Sequence, residues 1–425
     1  MDFNTIIALI IFIITFYFII TEKIPRSTSA IIGGASMVLF NVITEEEALY
    51  AISSNMDILI LLMGLMTVVN IMAETGIFQW IAIKIAQSAK GNPIIIMIVL
   101  GFISAIASAL LDNVTTILLI LPVSILIAHQ LKINFIPFLF TEIFSVNIGG
   151  AATLIGDPPN LIIASKSGLT FNEFIFNMGP IVLLVMIVFL SLMILIFRKD
   201  LKVSRIRRVK IMEMDSSRII KDFTLLKYSI IVFSLIVFGF ITNVFTEIGL
   251  SIISIGGSTA LILLSKKNPD DLYKKIEWST LFFFAGLFVL VDGIEATGLI
   301  KDIGDFILDI THGDPKFTVI LTILFSSVFA PIIGVVPYTI SFTKIIGELI
   351  PQMGNNVEPL WWALSMGVCF GGNMTLVGAA ANIVGVNIAK KAGLEIDFMQ
   401  FFKFGFIITF FSISMSIVYI LVRYF

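Results

Sequence analysis

GGAATLIGDPPN, residues 149–160, sits deep in apolar sequence yet carries three glycines, two adjacent prolines, an Asp and an Asn. Glycine admits backbone angles closed to other residues, and proline removes an N–H donor and halts a helix. The stretch therefore reads as an unwound break in a helix. Irregular backbone at membrane depth is tolerated only where it is buried in protein or lines a polar cavity. The pattern returns as GGNMTLVGAAAN at residues 371–382. Gly149 pairs with Gly371, Gly150 with Gly372, Thr153 with Thr375, Leu154 with Leu376, Gly156 with Gly378 and Asn160 with Asn382, each 222 residues apart (371 − 149). Two broken helices at matching places in two halves point to a binding site of the kind transporters build.

The rest of the composition agrees with a membrane setting. Of 425 residues, 58% are hydrophobic and 13% charged, where a soluble globule carries roughly 25% charged residues. A net charge of −2 gives no reason to expect a nucleic-acid partner. One Cys (Cys369) and two His (His129, His312) exclude a disulfide framework and argue against a Cys/His metal site. No nucleophile–base pairing is apparent, so an enzyme is not expected, nor a cofactor. Residues 4–20 are apolar but lack a basic flank and a small-residue cleavage site, which reads as a retained span and not a signal peptide.

Ten apolar segments approach the 20 or so residues that a helix needs to cross a bilayer. In the first half they are residues 4–20, 27–42, 56–72, a broken helix at 135–165, and 178–197. In the second they are 228–245, 249–264, 278–294, a broken helix at 360–389, and 401–422. Between the third and fourth member of each half lies a longer apolar region, 93–131 and 315–350, with polar or helix-breaking residues at its centre. Both read as re-entrant hairpins of two short arms. Gly64 pairs with Gly286, Thr75 with Thr297 and Gly76 with Gly298 at the same spacing of 222, and Tyr50 with Tyr273 at 223. Five crossings per half is an odd number, so the second half must be inverted relative to the first. The expected fold is an all-α integral membrane protein of two inverted five-span repeats, 1–197 and 228–425, each with a re-entrant hairpin and a broken transmembrane helix.

Lys and Arg mark the cytoplasmic loops. The linker 198–227 holds ten of them, Arg198, Lys199, Lys202, Arg205, Arg207, Arg208, Lys210, Arg218, Lys221 and Lys227, and is assigned to the cytoplasm. Parity then puts Lys23, Arg26, Lys266, Lys267, Lys274, Lys275, Lys390, Lys391 and Lys403 inside, and the acidic loops at Glu45–Glu46–Glu47 and at 302–314 outside. Both termini fall outside. The first hairpin opens to the cytoplasm and the second to the exterior. A regulatory or lipid-contacting role is the other reading of the linker. Residues 78–89, with Lys84 and then Lys90, read as a helix flat at the interface. His129 and His312 read as ordinary surface residues.

Chemistry concentrates in the hairpins and the breaks. LDNVTT, residues 111–116, sets Asp112 beside Asn113 at the centre of the first hairpin. A charged Asp in hydrocarbon costs roughly 2.5–3.5 kcal/mol by insertion scales, so the pair should face a polar cavity. Carboxylate, amide and threonine oxygens with freed carbonyls suit a small cation such as sodium, and half-helix N-termini suit an anion. The plainer alternative is that Asp112 or Asn113 merely caps the second arm. Asp157 and Asn160 face the same choice, Asp157 as cap of the helix that Pro158 and Pro159 begin. Thr153 and Thr375 are either back-bonding hydroxyls or ligands, and Asn373 stands where the first half has Ala151. At the second tip the partners of Asp112 and Asn113 are Gly334 and Val335, so the halves are chemically unequal. Lys344 stands where the first half has Pro122. It either snorkels to the external interface or supplies an ammonium in place of a second bound cation.

LDNVTT, GGAATLIGDPPN, VPYT at 336–339 and GGNMTLVGAAAN together resemble the ion transporter superfamily. That group includes arsenite permeases, NhaD-type sodium–proton antiporters, the pink-eyed-dilution P protein and, more distantly, citrate and dicarboxylate–sodium symporters. The strings are most similar to the P-protein and NhaD-like branch, and the resemblance spans nearly the whole chain. It implies that hairpin tips and broken helices hold substrate and coupling ions while one part of the protein moves against a static scaffold. By that resemblance the binding role falls to Asp112, Asn113, Thr115, Thr116, Gly156, Asp157, Asn160, Thr339, Gly378 and Asn382. The chain departs from the pattern at the second tip, where relatives carry an Asn or an Asp–Asn pair and Gly334–Val335 offers no side-chain ligand. A two-sodium mechanism is therefore not implied. The expected function is a multi-pass secondary active transporter of the cell membrane, moving a small ion or small anion by alternating access coupled to a proton or sodium gradient. Alternatives are a sodium–proton antiporter, with Asp112 or Asp157 as the titrating carboxylate, and a passive anion channel. Beyond substrate, coupling sodium and lipid, a homodimer is an admissible partner.

Overall fold

The computed structural model describes residues 3–213, 219–353 and 358–425; Arg218 of the basic linker lies outside the described residues. Among these the chain forms helices and no strand. The first half runs α1 (Phe3–Thr21), α2 (Arg26–Leu39), α3 (Glu45–Ser53), α4 (Met56–Glu74), α5 (Ile77–Ser88), α6 (Pro93–Leu110), α7 (Asn113–Leu131), α8 (Ile136–Gly150), α9 (Pro158–Ser167) and α10 (Phe171–Phe197). A linker helix, α11 (Arg205–Met212), follows. The second half runs α12 (Phe223–Thr246), α13 (Leu250–Ser265), α14 (Pro269–Tyr273), α15 (Trp278–Ala296), α16 (Leu299–Thr311), α17 (Pro315–Ile333), α18 (Val335–Met353), α19 (Glu358–Gly371), α20 (Ala380–Lys391) and α21 (Phe398–Tyr424). Element for element, α12–α21 repeat α1–α10. Among the described residues nine helices are long and apolar enough to cross a membrane, and α8 and α13 are shorter apolar helices.

Both breaks lie where the glycine and proline pattern puts them, between α8 and α9 and between α19 and α20. The arms of the long apolar regions are not short. They run 18 and 19 residues in α6 and α7, and 19 each in α17 and α18, as many as the 19 of α4. What marks a hairpin is its turn: Leu111 and Asp112 at the first tip, Gly334 alone at the second. Gly334 turns the chain at φ +110°, a conformation that residues with a Cβ rarely adopt. The single-residue turn thus demands a glycine and leaves no side chain at the second tip. Four helices went unread in the sequence: α11 in the linker, α16 and two small ones. One is α3, fixed by a capping box between Thr44 and Glu47; the other is α14.

The helices pack as two groups. In the first, α2 lies along α15, α4 along α13, and α1 and α12 flank them. Each close pair takes one helix from each half. Gly64 of α4 lies against the backbone of Ser254 and Ile255, and its repeat partner Gly286 of α15 against that of Ala30 and Ile31. A Cβ there would come within 2.7 Å of Ser254 C or 2.6 Å of Ile31 N, so this repeated glycine permits helix contact. In the second group α6 packs on α8, α17 on α19, α7 on α20 and α9 on α18, with α10 and α21 outside. The amphipathic helices α5 and α16 bridge the groups, α5 touching α4, α6 and α7, and α16 touching α15, α17 and α18.

Candidate substrate and ion site

The two broken helices are built by the same bonds. Gly149 and Gly371 let α8 and α19 lie against the backbones of Ala105 and Ser327, where any side chain would collide. Thr153 Oγ1 donates to the Ala109 carbonyl and accepts from Gly156 N at 3.1 Å. Thr375 Oγ1 donates to the Pro331 carbonyl at 2.7 Å. Ala109 and Pro331 are themselves 222 apart. Gly156 and Gly378 pass over the carbonyls of Gly150 and Gly372. Asn160 Nδ2 donates to Thr153 O at 2.9 Å and reaches Ala151 O at 3.4 Å; Asn382 Nδ2 donates to Gly372 O and Thr375 O, each at 2.8 Å. A helix that stops in a dry interior leaves carbonyls without partners, and these amides satisfy them. The motif shared by the halves is thus the internal brace of each break.

Contacts also cross between halves. On α8, Asn147 Nδ2 donates to Asn382 Oδ1 at 2.7 Å and to Asn373 Oδ1 at 2.9 Å. At the matching position of α19, Cys369 Sγ lies 3.6 Å from Asn160 Oδ1, which also accepts from Ser365 Oγ at 2.7 Å. Each break is therefore tied to the unbroken part of the other. Asn147, Ser365 and Cys369 were not legible as site residues, because their partners lie more than 200 residues away.

At the first tip Asp112 is the N-cap of α7, its Oδ1 accepting from Thr115 N at 2.8 Å and its Oδ2 from the Thr115 hydroxyl. Thr116 Oγ1 donates to Asp112 O at 3.0 Å, and the Ser108 hydroxyl donates to Asn113 Oδ1. Asp157 occupies the N-cap position of α9 without a side-chain capping bond; its carboxyl faces Cys369 and Asn113 instead. Thr339 Oγ1 turns back to Val335 O at 2.7 Å.

These elements enclose one cavity of about 210 Å³. Asp112, Asn113 and Val114 enter it from the first tip, and Gly334, Val335 and Pro337 from the second. Asp157 and Pro158 begin α9 there, and Gly378, Ala379 and Ala381 begin α20. The first helix group supplies the opposite wall, including Arg26, Ser27, Glu277, Thr280 and Phe284. The cavity lies on the seam between the two groups. It is below the roughly 300–1,000 Å³ of drug-sized pockets, which suits an inorganic ion or small organic anion. Of the sequence-selected residues, Asp112, Asn113, Asp157 and Gly378 line it. Thr115, Thr116, Thr153, Gly156, Asn160, Thr339, Asn373, Thr375 and Asn382 stand behind it, bracing tips and breaks. Arg26 and Glu277 were missed as wall residues; Arg26 pairs with Glu22 at 2.7 Å and Glu277 accepts from Thr280 at 3.1 Å.

Lys344 is away from this cavity, its ammonium bonded to Asp292 and Glu295 of α15. Glu142, also missed, is buried on α8, where the Ser124 hydroxyl bonds its carboxyl. His129 and His312 are exposed, as read.

Residues 16–367 match the family described as citrate transporter. A 46 kDa membrane protein of Mycobacterium leprae is 38% identical, the match covering 99% of each chain. An uncharacterized transporter of Mycobacterium tuberculosis is 37% identical, again over 99% of each. The P protein of Homo sapiens is 30% identical over 96% of this chain and 58% of its own length. With its apolar helices and a family match over most of its length, the chain is a multi-pass membrane protein that belongs to the citrate transporter family.

Proposed function

We propose that this protein is a secondary active transporter that moves a small ion or small anion by alternating access, coupled to a proton or sodium gradient. One observation carries the reading: a single cavity bounded by both hairpin tips and by the start of the second half of both broken helices. It sits on the seam where two helix groups can shift relative to one another. In this reading the halves are inverted repeats and the hairpins are re-entrant. The basic linker is cytoplasmic and the termini lie outside. The cavity wall at Arg26 and Glu277 then faces the cytoplasm.

The two halves contribute different chemistry. Asp112 and Asp157 stand in the first half, and their counterparts are Gly334 and Ala379. The carboxylates with Asn113 suit the coupling cation, sodium or proton. The starts of α18 and α20 carry no acidic side chain at the cavity, so their N–H groups and dipole ends suit the anion. The name of the matching family makes small polycarboxylates candidates beside inorganic anions. A second reading, sodium–proton antiport, draws on the acidic lining: Asp112, Asp157 and Glu277 face the cavity while Arg26 is engaged by Glu22.

The test is a proteoliposome screen of arsenite, chloride, phosphate, dicarboxylates, citrate and sodium under imposed pH and sodium gradients. Saturable flux with counterflow supports a carrier, and conductance far above carrier turnover refutes it in favour of a channel. Asp112→Asn and Asp157→Asn are expected to abolish gradient-driven flux. Unchanged flux in both would remove the site assignment.

A further inference from the structure

The two helix groups meet along a seam, and the cavity occupies the end of it marked by Arg26 and Glu277. Along α15 its wall runs from Glu277 to Phe284. Asp292 stands eight residues further on (292 − 284), or about 12 Å along the helix. Along α18 the wall ends at Pro337, and Lys344 follows seven residues later (344 − 337), about 10 Å on. At that far end the Lys344 ammonium meets the carboxylates of both Asp292 and Glu295, with the lysine side chain 13% exposed. Glu46 and Glu47 line a pocket together with Asp292 and Glu295, and Lys166 of α9 is close enough to feel the charges of this cluster. The remaining ion pairs described, Arg26–Glu22, Lys274–Asp271, and Lys267 and Lys275 with Glu74, stay within the first group. The Lys344 cluster joins α15 of the first group to α18 of the second.

The tie is one-sided. The positions 222 residues before Lys344, Asp292 and Glu295 hold Pro122, Asn70 and Ala73. No such pair can form at the mirror-related end when the groups slide the other way. We propose that Lys344, Asp292 and Glu295 form a latch that keeps the seam shut at the end remote from Arg26 and Glu277, biasing the resting protein toward the state seen here. Opening that end requires the shielded ammonium to leave two carboxylates and to rehydrate, Glu295 being already exposed to solvent. The lysine thus acts on the conformational equilibrium and touches no substrate. This inference rests on the alternating-access reading above.

The experiment labels a cavity cysteine from either side. Val336→Cys places a thiol on the cavity wall, Cys369 being buried. A membrane-impermeant maleimide is applied to vesicles of each orientation carrying the full-length protein. The parent protein should label fast from the face that carries the linker and slowly from the other. Adding Lys344→Met should raise labelling from that slow face severalfold, Asp292→Asn with Glu295→Gln should do the same, and combining all three should add little. Slow-face labelling unchanged in both Lys344→Met and the Asp292–Glu295 double variant would overturn the latch. Labelling from one face alone in the parent and every variant would overturn alternating access itself, so the two failures are distinguishable. If Lys344→Met does not survive purification, the carboxylate double variant carries the same test.

Discussion

Replacing Asn382 with alanine separates a brace from a ligand. The side chain is fully buried, and its Nδ2 donates at 2.8 Å to both Gly372 O and Thr375 O. Alanine would strand Gly372 O, while Thr375 O keeps the Gly378 N–H at 3.1 Å. An unsatisfied buried acceptor costs about 1–3 kcal/mol and the second lost bond about 0.5–1.5 kcal/mol, so the loss should be about 1.5–4.5 kcal/mol. Asn147 loses one acceptor but keeps Asn373 Oδ1 at 2.9 Å. Asn382→Asp keeps the shape, sets an acceptor against two acceptors, and should be at least as damaging. Thr375→Val removes one donated bond, of 2.7 Å to Pro331 O, leaving that carbonyl alone, and should cost about 1–3 kcal/mol. Thermal unfolding of the purified protein, followed by tryptophan fluorescence, reads the order, because Trp362 is buried on α19 against Phe174. The apparent midpoint should fall most for the Asn382 variants and least for Thr375→Val. An Asn382→Ala protein that melts with the parent yet has lost transport would show the amide to be a ligand and refute the bracing argument.

Two further outcomes follow from local geometry. Gly76 and Gly298 both sit at left-handed φ, +83° and +79°, where alanine costs roughly 1–2 kcal/mol. Nothing lies within 4 Å of a Cβ at Gly298, whereas one at Gly76 would strike the Ile219 carbonyl; Gly76→Ala should therefore destabilise more in the same melt, and the reverse order would contradict the packing. Hydrogen bonds from the Thr44 backbone and hydroxyl hold the Glu47 carboxyl below its ordinary value, so the cap of α3 is present above the unfolded-state value and lost as pH falls through the lower folded one. Hydrogen exchange of the first α3 amides should rise at acid pH beyond its intrinsic pH dependence in the parent, but not in Glu47→Gln, which lacks the titrating group.

Sequence alone settled the membrane class, the positions of both breaks and the pairing of the halves. Those features are written in local chemistry: apolar runs that a soluble surface would not carry, Gly and Pro where backbone must unwind, and a motif repeated at constant spacing. The same pattern selected Asp112, Asn113 and Asp157, because acidic and amide groups inside apolar sequence require a polar place to face. It did not reveal which bonds the shared motif makes inside the fold. Thr153, Asn160, Thr375 and Asn382 bond the backbone of their own breaks and hairpin arms, and only the folded chain shows where those carbonyls lie. Arg26 was read only as a cytoplasmic charge, and Glu277 and Asn147 were not picked out, since their places at the site come from packing against segments distant in sequence. Lys344 was recognisable as a charge that needed a partner. Its partners, Asp292 and Glu295, are set by how α15 meets α18, because apolar helices can register against one another in many ways and only the full packing selects one.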